Sequence, residues 1–307
     1  MPCHDSEKAH LRAPRPAVYA AGEYNFRVTV ELDALDAALA RALAGGGRVV
    51  ALTGAGVSAE SGIPTFRGPE GFWTVGSAVY HPEEMATQAA FRAMPDEVWR
   101  WYLYRLGMCR HAQPNAAHLA LVDVDRALGE RFLLVTQNVD GLHLRAGSPR
   151  ERTYQIHGNV DFMRCAGAHD RELVAMPALP RVDDAPLSDE VRRLLVCPRC
   201  GERARPHVLW FDEYYDEELY RFESSLRAAA GCAVLVTIGT SGATNLPSQM
   251  VMAARRGGGL LIDINPDEGP FAEAALGGGG LWLAGPATEK VPIVGQAIAR
   301  AVAAGAR

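Results

Sequence analysis

The side chains able to do chemistry fall in a few short runs. Gln137-Asn138-Val139-Asp140 places amides and a carboxylate directly after the apolar run 132–136. Polar residues leaving a parallel strand stand where ligands bind in open α/β sheets, although such a run also serves as a plain turn. Gln155-Ile156-His157-Gly158-Asn159 offers an imidazole, whose ordinary pKa of about 6.5 suits proton transfer near neutrality. A lone histidine is more often a satisfied structural residue than a catalyst. Cys197-Pro198-Arg199-Cys200, with Cys165, points to metal or redox use, because six cysteines in 307 residues do not suggest a disulfide scaffold. Gly54-Ala55-Gly56, after the strand-like Arg48-Val49-Val50-Ala51-Leu52, reads as the G-x-G-x-x-A dinucleotide pattern, where the main chain turns tightly and approaches a phosphate. A tight turn alone explains two glycines about as well.

These runs need elements to hold them. Leu32, Leu35, Leu39, Ala42 and Leu43 share a helical face that ends at Gly45-Gly46-Gly47. Apolar runs predict strands at 48–53, 132–136, 207–211, 233–238, 260–264 and 281–284, with helices between several of them, at 216–230 and 247–256 for example. That alternation predicts an α/β fold with a Rossmann-like parallel sheet covered by helices on both faces. The sheet domain takes 31–71, 119–157 and 207–307. Residues 1–30, rich in Pro, Ala and charge, read as a loosely ordered extension. Residues 72–118 carry Trp73, Phe91, Trp99, Trp101, Tyr102 and Tyr104 on helical segments. Residues 158–206 hold the cysteines around a Pro- and acid-rich connection too long for an ordinary loop. Together these two segments form a smaller inserted module, part helical and part zinc-ribbon-like.

Composition narrows the class of partner. Balanced charge, 31 basic against 36 acidic residues for a net −5, removes the electrostatic case for nucleic acid. No apolar run reaches 18 residues and no signal-peptide layout opens the chain, so no membrane role and a cytoplasmic location are expected. A monomer is the favoured state.

The blocks in order are more specific than any one of them. A glycine loop extends through Ser58, Phe66 and Arg67. It is followed by Gln137-Asn138-Val139-Asp140, His157-Gly158, the cysteines, Arg205-Pro206-His207-Val208-Leu209-Trp210-Phe211, Gly239-Thr240-Ser241, Asn265 and Gly285-Pro286-Ala287. This succession, from about residue 35 to about 300, resembles the sirtuins, the NAD-dependent protein deacylases. The resemblance implies that an acyl-lysine oxygen attacks the ribose of NAD as nicotinamide leaves, with His157 as general base on a ribose hydroxyl. It implies that Asp140 and the Val139 backbone hold the nicotinamide amide, while Gln137 and Asn138 position the ribose and a water. Gly54, Ala55 and the following helix would meet the phosphates together with Ser58, with Phe66 and Arg67 closing over the sugar. Gly239, Thr240, Ser241, Asn265 and Ala287 would hold the phosphate, ribose and adenine parts. Acyl-lysine peptides would add as a strand along Val208, Leu209, Trp210 and Phe211.

Tyr102 and Arg105, three apart and on one helical face, match the Tyr-x-x-Arg pair of the sirtuin branch that removes succinyl, malonyl and glutaryl groups. Arg holds a distal carboxylate bidentately and the phenol adds a donor. Departures from the family pattern occur in two places. Alanine stands at 168 where the second cysteine of the first pair is expected, leaving Cys165, Cys197, Cys200 and, as a candidate fourth zinc ligand, His169. Asp212 replaces the usual glycine, where it would face the peptide or serve as a solvated turn residue. A mono-ADP-ribosyltransferase and a non-catalytic NAD or ADP-ribose sensor are the competing functional readings.

Overall fold

The computed structural model describes residues 21–65, 82–179 and 186–305. The chain divides into two units, Met1–Ala34 and Leu35–Arg307. In the first, the described part is helical from Ala21, so the helix Ala21–Leu43 starts earlier than its apolar periodicity indicates. Everything below concerns the second unit.

The main sheet has six parallel strands: β1 (Arg48–Thr53), β2 (Phe132–Thr136), β3 (Thr153–Gln155), and, after the inserted elements, β7 (Cys232–Ile238), β8 (Leu260–Asn265) and β9 (Leu281–Ala284). Their order is β3-β2-β1-β7-β8-β9. The chain therefore runs outward in one direction from β1 and returns to build the other half from β7. A crevice opens at the carboxyl ends of β1 and β7, where the order reverses. Alternate residues of β1 serve opposite faces: Val49 and Ala51 join one apolar cluster, and Val50 and Leu52 join the other. Both faces are thus covered, which is why these strands read as unbroken apolar runs.

Between the halves lie β4 (Gly158–Cys165), β5 (Leu173–Ala175) and β6 (Ala204–Val208), an antiparallel sheet of order β5-β4-β6. The inserted helix Pro95–His111 packs with it in one cluster that holds Trp99 and Trp101 together with Met163, Val191 and Ala204, and Trp99 Nε1 donates to the Ala204 carbonyl. The two insertions are therefore one module with a shared core. Among the described residues, no helix is long and apolar enough to cross a membrane.

Two predicted elements shift. The strand expected at 207–211 lies at Ala204–Val208, in the small sheet. The single helix expected over 216–230 is two, Glu217–Tyr220 and Phe222–Ala230, broken at Arg221, whose φ of 56° is left-handed. Asp216 caps the first of these by accepting from the Leu219 N–H at 2.7 Å.

Candidate active site

A cavity of about 890 Å³ lies along the strand ends and is walled on its far side by the inserted module. Gly54, Ala55, Gln137, Asn138, Val139, His157, Gly239, Thr240, Ser241, Asn265 and Ala287 line it from the sheet side. Tyr102, Arg105, Val208, Leu209, Trp210 and Phe211 line it from the module side. Residues separated by up to 233 positions, from Gly54 to Ala287, thus converge on one space. Ser58 and Asp140 stand behind this wall, while Phe66 and Arg67 fall outside the described residues.

The glycine loop answers first to packing between strand ends. The Gly54 and Gly56 N–H groups donate to the carbonyls of Ile238 and Gly239, at 2.9 and 2.8 Å. A Cβ on Gly56 would sit 2.7 Å from Gly239 Cα, and one on Gly239, at φ +57°, would meet Val57 N at 2.5 Å. Neither position accepts a side chain without parting β1 from β7. The seven residues that follow, Ala55–Ser61, form a 3₁₀ helix.

Buried hydrogen bonds fix the floor. Ser58 Oγ donates to Asp140 Oδ2 at 2.8 Å and accepts from Asn138 Nδ2 at 3.0 Å. Burial pushes the Asp140 carboxyl up, opposed by the hydrogen bonds from the Leu142 N–H and Ser58. Gln137 crosses the crevice: its Nε2 donates to Thr240 Oγ1 and its Oε1 accepts from Thr244 Oγ1, both at 2.8 Å. Asn265 Nδ2 donates to the Asp263 carboxylate at 2.9 Å. Under the floor, the His118 and His143 rings lie 4.7 Å apart with planes tilted by 52°, and Thr53 Oγ1 lies 3.0 Å from His143 Nε2.

His157 follows β3 and faces the cavity. Desolvation holds its pKa down to about 4, against a backbone hydrogen bond to Gln137, so it is neutral and able to accept a proton at pH 7. Across the cavity Tyr102 and Arg105 line the wall and are nearly buried, at 2% and 9% exposure. The Arg105 guanidinium lies over Trp101 and Tyr102, 4.9 and 5.7 Å from the ring centres. The Tyr102 hydroxyl accepts from Trp210 Nε1 at 2.9 Å, which leaves its own proton to donate, and burial pushes its pKa up to about 12.

Away from the cavity, Cys165, His169, Cys197 and Cys200 converge with their ligand atoms all within 4.8 Å of one another. Sγ of Cys165 and Cys200 are 3.7 Å apart, and Sγ of Cys197 and Nδ1 of His169 are 3.8 Å apart. A tetrahedral zinc with bonds of about 2.0–2.3 Å needs donors about this far apart. The donor set therefore fits a structural Cys₃His zinc site, with His169 in the place left by Ala168.

The Sir2 family profile matches residues 54–245. The chain belongs to the Sir2 family. It is 37% identical over 247 residues to a protein of Leptospira interrogans named NAD-dependent protein deacylase, covering 80% of this chain and 90% of that one. It is 38% identical over 242 residues to NAD-dependent protein deacylase 1 of Archaeoglobus fulgidus, covering 78% and 90%. A crystal structure of a Sir2 homologue–NAD complex superposes with a TM-score of 0.68 at 35% identity, covering 83% of this chain and 90% of that one. The Sir2 fold accounts for the parallel sheet and the small antiparallel sheet inserted into it.

Sequence reasoning missed Tyr215 in this Sir2 site and left the role of Asp212, beside it, open. Tyr215 lines the cavity and its hydroxyl lies 2.8 Å from His157 Nε2, a partner 58 positions away that no local pattern announces. Asp212 is an exposed turn residue, as one of its two sequence readings had it, but its carboxylate is engaged. Its carboxylate accepts from the Gln88 and Ala89 N–H groups at 2.8 and 3.1 Å, binding the loop after β6 to the helix Gln88–Ala93. The neighbouring Glu213 pairs with Arg205, accepting from its Nη2 at 2.9 Å and from the Trp210 N–H at 3.0 Å.

Proposed function

We propose that this chain is an NAD-dependent protein-lysine deacylase that prefers acyl groups ending in a carboxylate. The observation that carries the reading is the single cavity shared by His157, the strand-end residues and the Tyr102–Arg105 pair. Gly239, Thr240, Ser241, Asn265 and Ala287 would hold the dinucleotide, with Gln137 and Asn138 at its reacting ribose. NAD, when bound, supplies a sugar carbon from which nicotinamide can leave. His157 Nε2 then takes the proton of a ribose hydroxyl, and desolvation keeps the imidazole neutral for that task. The acyl-lysine peptide runs past Val208, Leu209, Trp210 and Phe211, and its acyl end reaches Arg105.

Arg105 lines the cavity on the same helix as Tyr102, three positions on, and a guanidinium there can hold a carboxylate bidentately. A charge-assisted hydrogen bond to a carboxylate is worth about 1.5–3 kcal/mol, or roughly 10- to 150-fold in rate for a substrate that supplies it. An acetyl group supplies nothing there.

The test is an acyl-peptide panel with NAD. Succinyl-, malonyl- or glutaryl-lysine should react faster than acetyl-lysine, with Arg105→Met losing the acidic substrates roughly 10-fold or more and keeping acetyl turnover. His157→Ala should bind NAD and lose turnover. Equal or better deacetylation by the unmodified protein overturns the acyl preference. Near-normal deacylation by His157→Ala overturns the base, and product mass spectra showing ADP-ribose on the protein overturn deacylation itself.

A further inference from the structure

We infer that Tyr215 is a positioning residue for His157: its hydroxyl donates to Nε2 in the resting enzyme, fixing the imidazole as its Nδ1–H tautomer and capping the lone pair until a substrate hydroxyl takes its place. This deepens the reading above and rests on His157 as the base.

The geometry leaves the proton little choice. His157 hydrogen-bonds the Gln137 backbone, and the Gln137 N–H is already donated to the Thr53 carbonyl at 3.0 Å. The remaining Gln137 group is a carbonyl, which only accepts, so one ring nitrogen of His157 must carry the proton toward it. Nε2 is the nitrogen 2.8 Å from the Tyr215 hydroxyl, which assigns the proton to Nδ1. A neutral imidazole with Nδ1–H has an accepting Nε2, and the phenol is then the donor. Burial raises the Tyr215 pKa, so the phenol keeps the proton it donates.

The ring is held for this role. It lies 5.8 Å from the His157 ring and stacks on Phe222 at 6.0 Å with planes 23° apart. Phe222 begins the helix that follows the left-handed Arg221. Among the described residues, the influences on the His157 charge are burial and Gln137. Asp140 after β2, Asp263 on β8, Glu213 after β6, and Tyr102 and Arg105 on the inserted helix exert no resolved charge effect on it. The phenol, 2.8 Å from Nε2, is the side-chain group in hydrogen-bonding contact with this base. A donor on Nε2 stabilises the neutral ring and must be released before the ring can accept a proton from substrate.

The test uses the full chain labelled with 15N-histidine, without NAD, and the His157 signals assigned from a His157→Gln spectrum. In the unmodified protein Nδ1 should be protonated and Nε2 bare. Tyr215→Phe keeps the ring on Phe222 and removes only the hydroxyl. It should raise the titration midpoint of His157 by roughly 0.5–1 pH unit, the worth of one neutral hydrogen bond. The acid limb of kcat/KM for acyl-peptide should move up with it. An unchanged midpoint in folded Tyr215→Phe overturns the inference, as does a proton on Nε2 in the unmodified protein, which needs no variant at all. A shifted midpoint in a chain that deacylates nothing supports the Tyr215 role and refutes the deacylase reading instead.

Discussion

Asp212→Ala should weaken the fold and leave substrate choice alone. The helix Gln88–Ala93 is short, and its first N–H groups need partners from outside the helix. Thr87 Oγ1 accepts from the Ala90 N–H at 3.0 Å, and the Asp212 carboxylate takes the Gln88 and Ala89 N–H groups. One further strut, Phe211 N–H to the Ala86 carbonyl at 3.0 Å, runs alongside. Removing the carboxylate orphans two donors at a solvent-exposed helix end, where water replaces part of the loss. A cost of about 1–2 kcal/mol is expected, equivalent to a fall in Tm of roughly 2–6 °C for a chain of this size. Asn at 212 keeps one acceptor and should cost about half as much. Thermal or urea denaturation of the three proteins measures this, with KM taken for peptides carrying basic or neutral residues beside the acyl-lysine. A substrate-facing carboxylate would behave oppositely: Tm unmoved, and a selective rise in KM for the basic peptides. That pattern would refute the capping argument.

The metal centre and the buried histidines give further tests. The purified protein should carry about one zinc per chain, and His169→Ala should release it on mild chelation and lower Tm; full zinc retention in that variant would remove His169 from the ligand set. Stability should also fall on acidification. Burial holds His118 and His157 down to about 4 and His207 down to about 3, so each is neutral in the folded chain while the unfolded chain takes up protons near pH 6.5. Their stabilising effect is complete above that pH and is lost as pH falls toward 4, at up to about 1.4 kcal/mol per pH unit for each group. Asp140 and Asp263, whose carboxyls burial raises, act in the opposite sense and offset part of the loss. The net fall between pH 6 and pH 5 should be about 1–3 kcal/mol by urea denaturation, and a flat profile would contradict the buried-neutral assignment.

What the sequence made legible follows from where each residue finds its partners. β1, β2, β7 and β8 read directly because both faces of each are buried, so they are mostly apolar, Thr237 and Asp263 being buried exceptions, and end where the polar cavity residues begin. The strand after the cysteines did not read this way. Arg205 and His207 lie inside β6 at 4% and 3% exposure, and Arg205 survives there by pairing with Glu213 and lying over Trp210. A search for apolar runs therefore slides on to His207–Phe211, of which only His207 and Val208 belong to the strand. The helix over 216–230 reads as continuous because its composition is helical throughout, while its break depends on Glu217 capturing the Ser224 N–H at 2.9 Å. Asp212 and Tyr215 were the least readable: one caps a helix 124 positions away and the other touches an imidazole 58 positions away. His157 itself could be named from its block, but its basicity is set by burial and the Gln137 backbone, and the contact from Tyr215 comes from another element. A motif can therefore locate the base, whereas the strength of the base belongs to the fold.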